Sequence, residues 1–523
     1  MSRPQIERQG RPGRRLGELG LLLLGAIGAS LVAPTVATAH QLTGRFTSPI
    51  PLGAYLVGAA LAVGASFAIV LLRGGEVSGA AEIPVTTPTL ASSAADRTVR
   101  VPRPVRRTLT AVGLLAWTWI VIQAVVFGSH SESDVASLFL WTFGWVGLAL
   151  VSAFIGPAWT WLDPFSSLHR LAAAVLSRAG LSGDAPAPYP ARLGRWPAVA
   201  GFALIVWLEL AVPAARSGRG LGLILLGYSV LTLVAMAQFG RETWRRQGEV
   251  FSVWFGLIGR LAPLALPGPG TPLPGRTTMD DPRPPDVDRL RPRPVAAGLL
   301  DADVDPASLV LVALSIGGIL YDGLSQTQAF FDLFGVPTIV EQSLLLFGWL
   351  AIVVGIALLV ARIVGVGALT AGLIPIAIGY LIAHYLTVIL FDSQRLLYAL
   401  TDPLGVAADL LGLGEFEPVT SWLPASVAWS IQLLAVVGGH VVGAWAGHRV
   451  YVRDQALRDR AAGGRRSRDA RLGEIPLALL MVGLTTLTLW SLGQAIVAEP
   501  VESVTPSAST APAAVVAAPT VSP

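Results

Sequence analysis

Residues 369–391 read LTAGLIPIAIGYLIAHYLTVILF, an apolar run in which His384 is the only acidic or basic residue. At 1.5 Å per residue such a run crosses a hydrocarbon core of about 30 Å, and soluble core helices rarely run that long without a charge. Working outward, comparable runs fall at 52–72, 109–127, 135–155, 198–213, 221–239, 307–322, 342–362, 426–447 and 475–496. Together they predict an all-α fold, a polytopic transmembrane helix bundle of about ten spans. Composition agrees. Only 13% of residues are charged, against roughly 25% in soluble domains, and the mean hydropathy is +0.63.

The chain has no cysteine, and every basic side chain is arginine. Disulfides, thiolate nucleophiles, cysteine-held zinc and lysine Schiff bases are therefore excluded. The pI of about 9.7 does not point to nucleic acid, because the arginines sit between apolar runs. They crowd 73–107, 156–197, 240–306 and 447–474, alternating with acidic or neutral connections at 128–134, 323–341 and 392–425. Under the positive-inside rule the first set is cytoplasmic and the second external. One short connection dissents, since Arg216 and Arg219 fall on the expected outer side. A reporter fused after Arg107 or Arg471 is expected to read cytoplasmic, and one within 392–425 external. An external signal at Arg107 would overturn the map.

Residues 1–39 read as a signal peptide. Five arginines precede an apolar stretch from Leu19 to Val32, and Ala37-Thr38-Ala39 fits an A-x-A cleavage site, which leaves His40 as the first mature residue. An N-terminal membrane half at 40–263 and a C-terminal half at 307–497 then flank a Pro- and Arg-rich cytoplasmic linker at 264–306. The tail at 498–523 reads as disordered and external, so both mature ends face outward from the cell membrane. Two inner connections look alike, Asp163-Pro164-Phe165-Ser166 and Glu249-Val250-Phe251-Ser252. They suggest a duplicated unit of two spans and an interfacial amphipathic helix. In the second, Phe251, Trp254, Phe255, Ile258 and Leu261 form the apolar face of a membrane-surface anchor.

Several stretches together resemble a family of bacterial polytopic membrane proteins known as fenitrothion hydrolases. They are AHQLTGRFTSPIPLGAYL around His40, WLEL around Glu209, GEVFSVWFGLIGRLAPL from Gly248, LYDGLSQT from Leu320, PIAIGYLIAHYL from Pro375, TDPLG from Thr401 and GGHVVGAWAGH from Gly438. The resemblance implies hydrolysis of a lipophilic phosphorothioate triester and carries no catalytic residue set with it.

Ionisable side chains within spans cost about 2.5–3.5 kcal/mol each, so each needs a reason. Glu209, Asp322 and His384 are the candidate catalytic residues. His40, His130, Asp322, His384 and Asp392 are candidate metal ligands, because imidazole with carboxylate suits zinc or copper. All fall on the expected outer side, and none forms a local ligand motif. For Asp322 to meet His384, the sixth span must be tilted, short or broken after Tyr321. His440 and His448 form a second polar patch nearer the cytoplasm, beside Gly438, Gly439 and Gly443. The bland alternatives are a helix-packing bond for His440 and a headgroup contact for His448. Two functions remain open: a metal-dependent hydrolase with an outward-facing site, or a transporter or metal-handling permease using the same residues. The expected partners are membrane lipids and a possible membrane-protein subunit, with no nucleic acid.

Overall fold

The computed structural model describes part of 53–65, then 98–128, 135–180, 187–267 and 288–493, apart from gaps at 217, 302–303, 415 and 462–471. The expected signal peptide, His40, His130 and the C-terminal tail lie outside these residues, as does most of the first expected span. Eight described helices are long and apolar enough to cross a membrane. The chain is a multi-pass, all-α membrane protein.

The long helices are α1 (Arg103–Ile122, extended by a π-helical turn to Phe127) and α2 (Val135–Phe154). The amphipathic α3 (Pro164–Arg178) follows, then the short apolar α4 (Trp196–Ala211), α5 (Gly218–Phe239), α6 (Arg241–Gln247) and α7 (Val250–Ile258). The second half holds α8 (Pro306–Ser325), α9 (Ile339–Val364), α10 (Val366–Leu390), α11 (Ala425–Ala461) and α12 (Ile475–Gly493). α8 is the central helix: 89% of its apolar window is buried by protein, against 28% for α9. It packs against α4, α9 and α10. Its uniform run of Leu, Val, Ile and Gly suits a helix with protein on every side. α11 continues well beyond the expected end at 447, because residues 448–461 contain neither Gly nor Pro and keep a helical charge pattern.

α10 and α11 meet backbone to backbone. A Cβ on Gly443 would lie 2.4 Å from the Gly372 carbonyl oxygen, and one on Gly439 would lie 2.6 Å from that of Pro375. Only glycine permits this approach. Gly438, expected to share that role, has nothing within 4 Å of its Cβ position.

The surface-anchor expectation for α7 is corrected. Phe251, Trp254, Phe255, Ile258 and Leu261 are all buried in the protein, and so are Val250, Val253 and Leu257. A helix apolar on every side belongs in a core, and the periodicity of five residues concealed the other three. By contrast, α3 exposes Leu171, Val175 and Leu176, as an interfacial helix does. The paired motifs are equivalent locally. Asp163 accepts from the backbone N–H groups of Phe165 and Ser166, and Glu249 from those of Phe251 and Ser252, so each acid caps its helix. Each cap also has partners outside its own helix. Trp159 Nε1 donates to Glu249 (3.3 Å), Tyr228 Oη donates to Glu249 (2.6 Å), and Arg245 pairs with Asp163 (3.0 Å).

The ends of the expected linker are structured. Strands β1 (Val99–Arg100), β2 (Leu264–Ala265) and β3 (Arg289–Pro292) form a small antiparallel sheet in the order β1-β3-β2. Arg293 fastens it to the end of α7 by donating to the carbonyls of Gly259 and Ala262. Strands of two to four residues give too short an alternation to be visible in sequence.

Candidate functional site

α4, α8 and α10 each carry one candidate residue in their last third, and packing brings those thirds together. His384 Nε2 and Asp322 Oδ2 are 2.7 Å apart. Gln326 Nε2 donates to the other Asp322 oxygen at 2.9 Å. The next residue on α10, Tyr385, donates its hydroxyl to Glu209 Oε1 at 3.3 Å. Glu209, Asp322 and His384 are 7%, 5% and 6% exposed, so the cluster is sealed in the bundle. Three helix C-termini direct their negative ends toward this region. That potential attracts positive charge.

α8 runs unbroken through Tyr321 to Ser325, so of the tilted, short or broken alternatives for this span the break is absent. The irregularity lies across the interface instead. Tyr385 has φ −98° and ψ 15°, outside helical values, and interrupts α10 directly after His384. Gly323 supplies the remaining space. A Cβ there would lie 2.9 Å from Ser491 Oγ and 3.7 Å from His384 Nδ1. Ser491, buried on α12, is a site residue that sequence reasoning missed, because a lone serine in a span gives no signal.

Arg216 explains the dissenting charge at 214–220. It is 8% exposed and folds inward, donating to the carbonyl oxygens of Glu209 (2.8 Å) and Leu210 (3.3 Å) at the end of α4. It is a helix C-cap, so its charge does not report on which side of the membrane that turn lies.

No family model, curated protein or solved structure matches this chain.

A cavity of about 20 Å³ adjoins Glu209 and Tyr385, walled by Trp145, Val206, Leu381 and neighbours. That is space for about one water. Among the described residues, no three His, Asp or Glu side chains are gathered to hold a metal ion. The Asp322–His384 contact of 2.7 Å is a hydrogen bond, shorter than the roughly 3–4 Å between two ligands of one ion, estimated from metal–ligand bonds of about 2.0–2.2 Å. Asp392, expected among the ligands, begins a short turn beyond α10 and pairs with Arg395 at 3.7 Å.

The second patch divides in two. His440 is fully buried and its Nδ1 bonds the Val436 carbonyl one turn back on its own helix, at 2.8 Å. Its Nε2 has no partner among the described residues, and its ring lies 5.6 Å from that of Tyr380. The interhelical packing bond expected for His440 is therefore replaced by one within α11. Tyr380 stands one turn before His384 on α10, so polar groups continue from the Asp322–His384 pair to mid-bundle. His448 pairs with buried Glu474 at 2.8 Å, which replaces the expected headgroup contact.

The TDPLG stretch forms a locked loop. Asp402 accepts from the backbone N–H groups of Val406 (2.9 Å) and Ala407 (2.7 Å), and Trp119 Nε1 holds the Pro403 carbonyl (2.6 Å). Burial pushes the Asp402 carboxyl up, but the surrounding backbone N–H groups outweigh it and leave it below its ordinary value. A depressed pKa adds stability above the unfolded value, lost as pH falls through the folded one. Asp402→Ala is expected to expose 402–414 to protease at neutral pH and to lack the acid-induced increase in cleavage expected of the parent. Equal cleavage of variant and parent at neutral pH would refute this lock.

Proposed function

We propose that the protein is a proton-translocating membrane transporter in which Asp322 and His384 exchange the transported proton. The observation that carries this is the buried Asp322–His384 hydrogen bond, next to the Tyr385–Glu209 pair that lines a cavity with room for about one water. Intramembrane carboxylate–histidine pairs suit proton relay. A space of that size passes a proton and excludes larger solutes. Glu209 and Tyr385 form a second relay step toward the cavity, and Tyr380 with His440 extends the polar line into the bundle. The site lies in the outer part of the bundle on the charge-derived topology. The test is purified protein in liposomes loaded with a pH-sensitive dye, with an imposed potential. Potential-driven acidification is expected, and no flux above protein-free liposomes would refute the proposal.

The hydrolase implied by the family resemblance is the second reading, and one observation favours it. Ser491 Oγ and His384 Nδ1 both border the space over Gly323, while Asp322 holds the opposite ring nitrogen. A serine, a histidine and an aspartate thus stand in the order of nucleophile, base and orienter. Against it, substrate pockets occupy roughly 300–1,000 Å³, far beyond the cavity beside Glu209. A zinc or copper ion would need ligands beyond the pair, such as His40 or His130. Triester turnover that disappears in Ser491→Ala, with proton flux absent, would place this reading first.

A further inference from the structure

α4 and α5 are consecutive antiparallel helices, yet along their length they hardly touch. They join at the turn Pro213–Ala215 and splay apart, with α9 across the opening. Between them lies an apolar cleft of about 940 Å³, bordered by Ala200, Leu204, Trp207, Gly227, Leu231 and Leu344. Small residues in membrane helices ordinarily bring helices together. Here Ala200 and Gly227 remove volume from walls that do not meet. The cleft follows α4 along its whole length, from Pro197 to Val212, roughly 22 Å at 1.5 Å per residue, and reaches Ala215 in the turn at one end and Trp244 on α6 at the other.

Its mouth at the arginine-rich end is chemically different. Trp244 lines it, and the buried indole N–H of Trp244 has no hydrogen-bond partner among the described residues. Arg241 lies three residues earlier on α6 and so on the same face. The other two α6 arginines are engaged, Arg245 with Asp163 and Glu242 and Arg246 with Glu242, while Arg241 has no ion pair among the described residues. An apolar slot ending at a cation and an N–H donor that have no partner among the described residues has the chemistry of one ligand class.

We propose that the α4–α5 cleft binds a single anionic membrane lipid, one acyl chain in the slot and its phosphate at Arg241 and Trp244. The Arg241 charge and the Trp244 N–H at the mouth favour an anionic headgroup with its acyl chain over a partner's apolar transmembrane helix. The only wall shared with the cavity beside Glu209 is Trp145, so an occupied cleft would brace the candidate site from behind. The lipid site stands whether or not the proton proposal does, because its readout is retained lipid and not flux.

The test is native mass spectrometry of the purified full-length protein, delipidated and then offered phosphatidylglycerol or phosphatidylcholine with matched chains. One phosphatidylglycerol per protein is expected, with about fivefold preference over phosphatidylcholine, the effect of roughly one arginine at a membrane surface. Ala200→Trp should fill the slot and abolish retention of both lipids. Arg241→Gln should keep the chain site and equalise the two lipids. Inorganic phosphate at millimolar concentration should not displace the bound lipid; displacement would mean a phosphate site without a chain site and would overturn the proposal. Unchanged retention in Ala200→Trp, unchanged preference in Arg241→Gln, or a stoichiometric polypeptide in place of lipid would also overturn it. Both variants are compared with the parent by gel filtration. If Ala200→Trp does not fold, Leu204→Trp fills the same slot from an exposed position.

Discussion

Asp322→Asn and His384→Gln are each expected to lower potential-driven proton uptake by about 100-fold, the lower end of what one positioned acid or base contributes. Asparagine and glutamine keep hydrogen-bonding capacity and approximate volume, so the bundle should still assemble. What they remove is the ability to gain and release a proton. A purely structural role predicts a different outcome. The yield of folded protein would fall, because a broken buried hydrogen bond to a charged group costs about 1.5–3 kcal/mol, while flux per folded molecule would stay unchanged. Asp322→Glu should partly restore flux, since the carboxylate remains while the 2.7 Å contact is displaced. Tyr385→Phe should lower flux by a smaller factor, because the Glu209 carboxylate survives without its 3.3 Å donor. Full flux in Asp322→Asn would end the proton-exchange proposal.

Gly443→Leu is expected to abolish folded protein, and Gly443→Ala to lower the apparent melting temperature clearly. The added Cβ would lie 2.4 Å from the Gly372 carbonyl oxygen. Backbone on both sides leaves no side chain to rotate away, so the helices must separate. Overpacking of this kind costs about 1–3 kcal/mol, occasionally more, and the separation would also carry His440 away from Tyr380. Gly438→Ala is the matched control, because its Cβ position has nothing within 4 Å. Fluorescence-detected gel filtration with a temperature series measures both. Equal melting of Gly443→Ala and Gly438→Ala would show that the α10–α11 contact is looser than described.

Much of the membrane architecture was legible in sequence, because each span is decided by its own residues. A bilayer imposes one length and one polarity on any segment that crosses it, so 369–391 or 342–362 can be read without knowing their neighbours. Burial cost likewise singled out Glu209, Asp322 and His384, since a charge in a span demands compensation wherever it sits. Lipid and protein interior are equally apolar, however, so sequence does not distinguish a helix facing one from a helix facing the other. That is why α7 read as a surface anchor and proved to be core, and why central α8 resembled lipid-facing α9. Partners separated in sequence were likewise out of reach: Tyr385 with Glu209, Ser491 beside Gly323, Glu474 with His448, and Arg216 turned inward onto the end of α4. Composition and hydropathy period determined that this chain spans a membrane many times and which ionisable side chains lie inside. Only tertiary packing decided that Asp322 and His384 bond directly, that the kink falls at Tyr385, and that α4 and α5 stand apart, because contacts between helices depend on shape and small-residue placement that one helix's pattern does not encode.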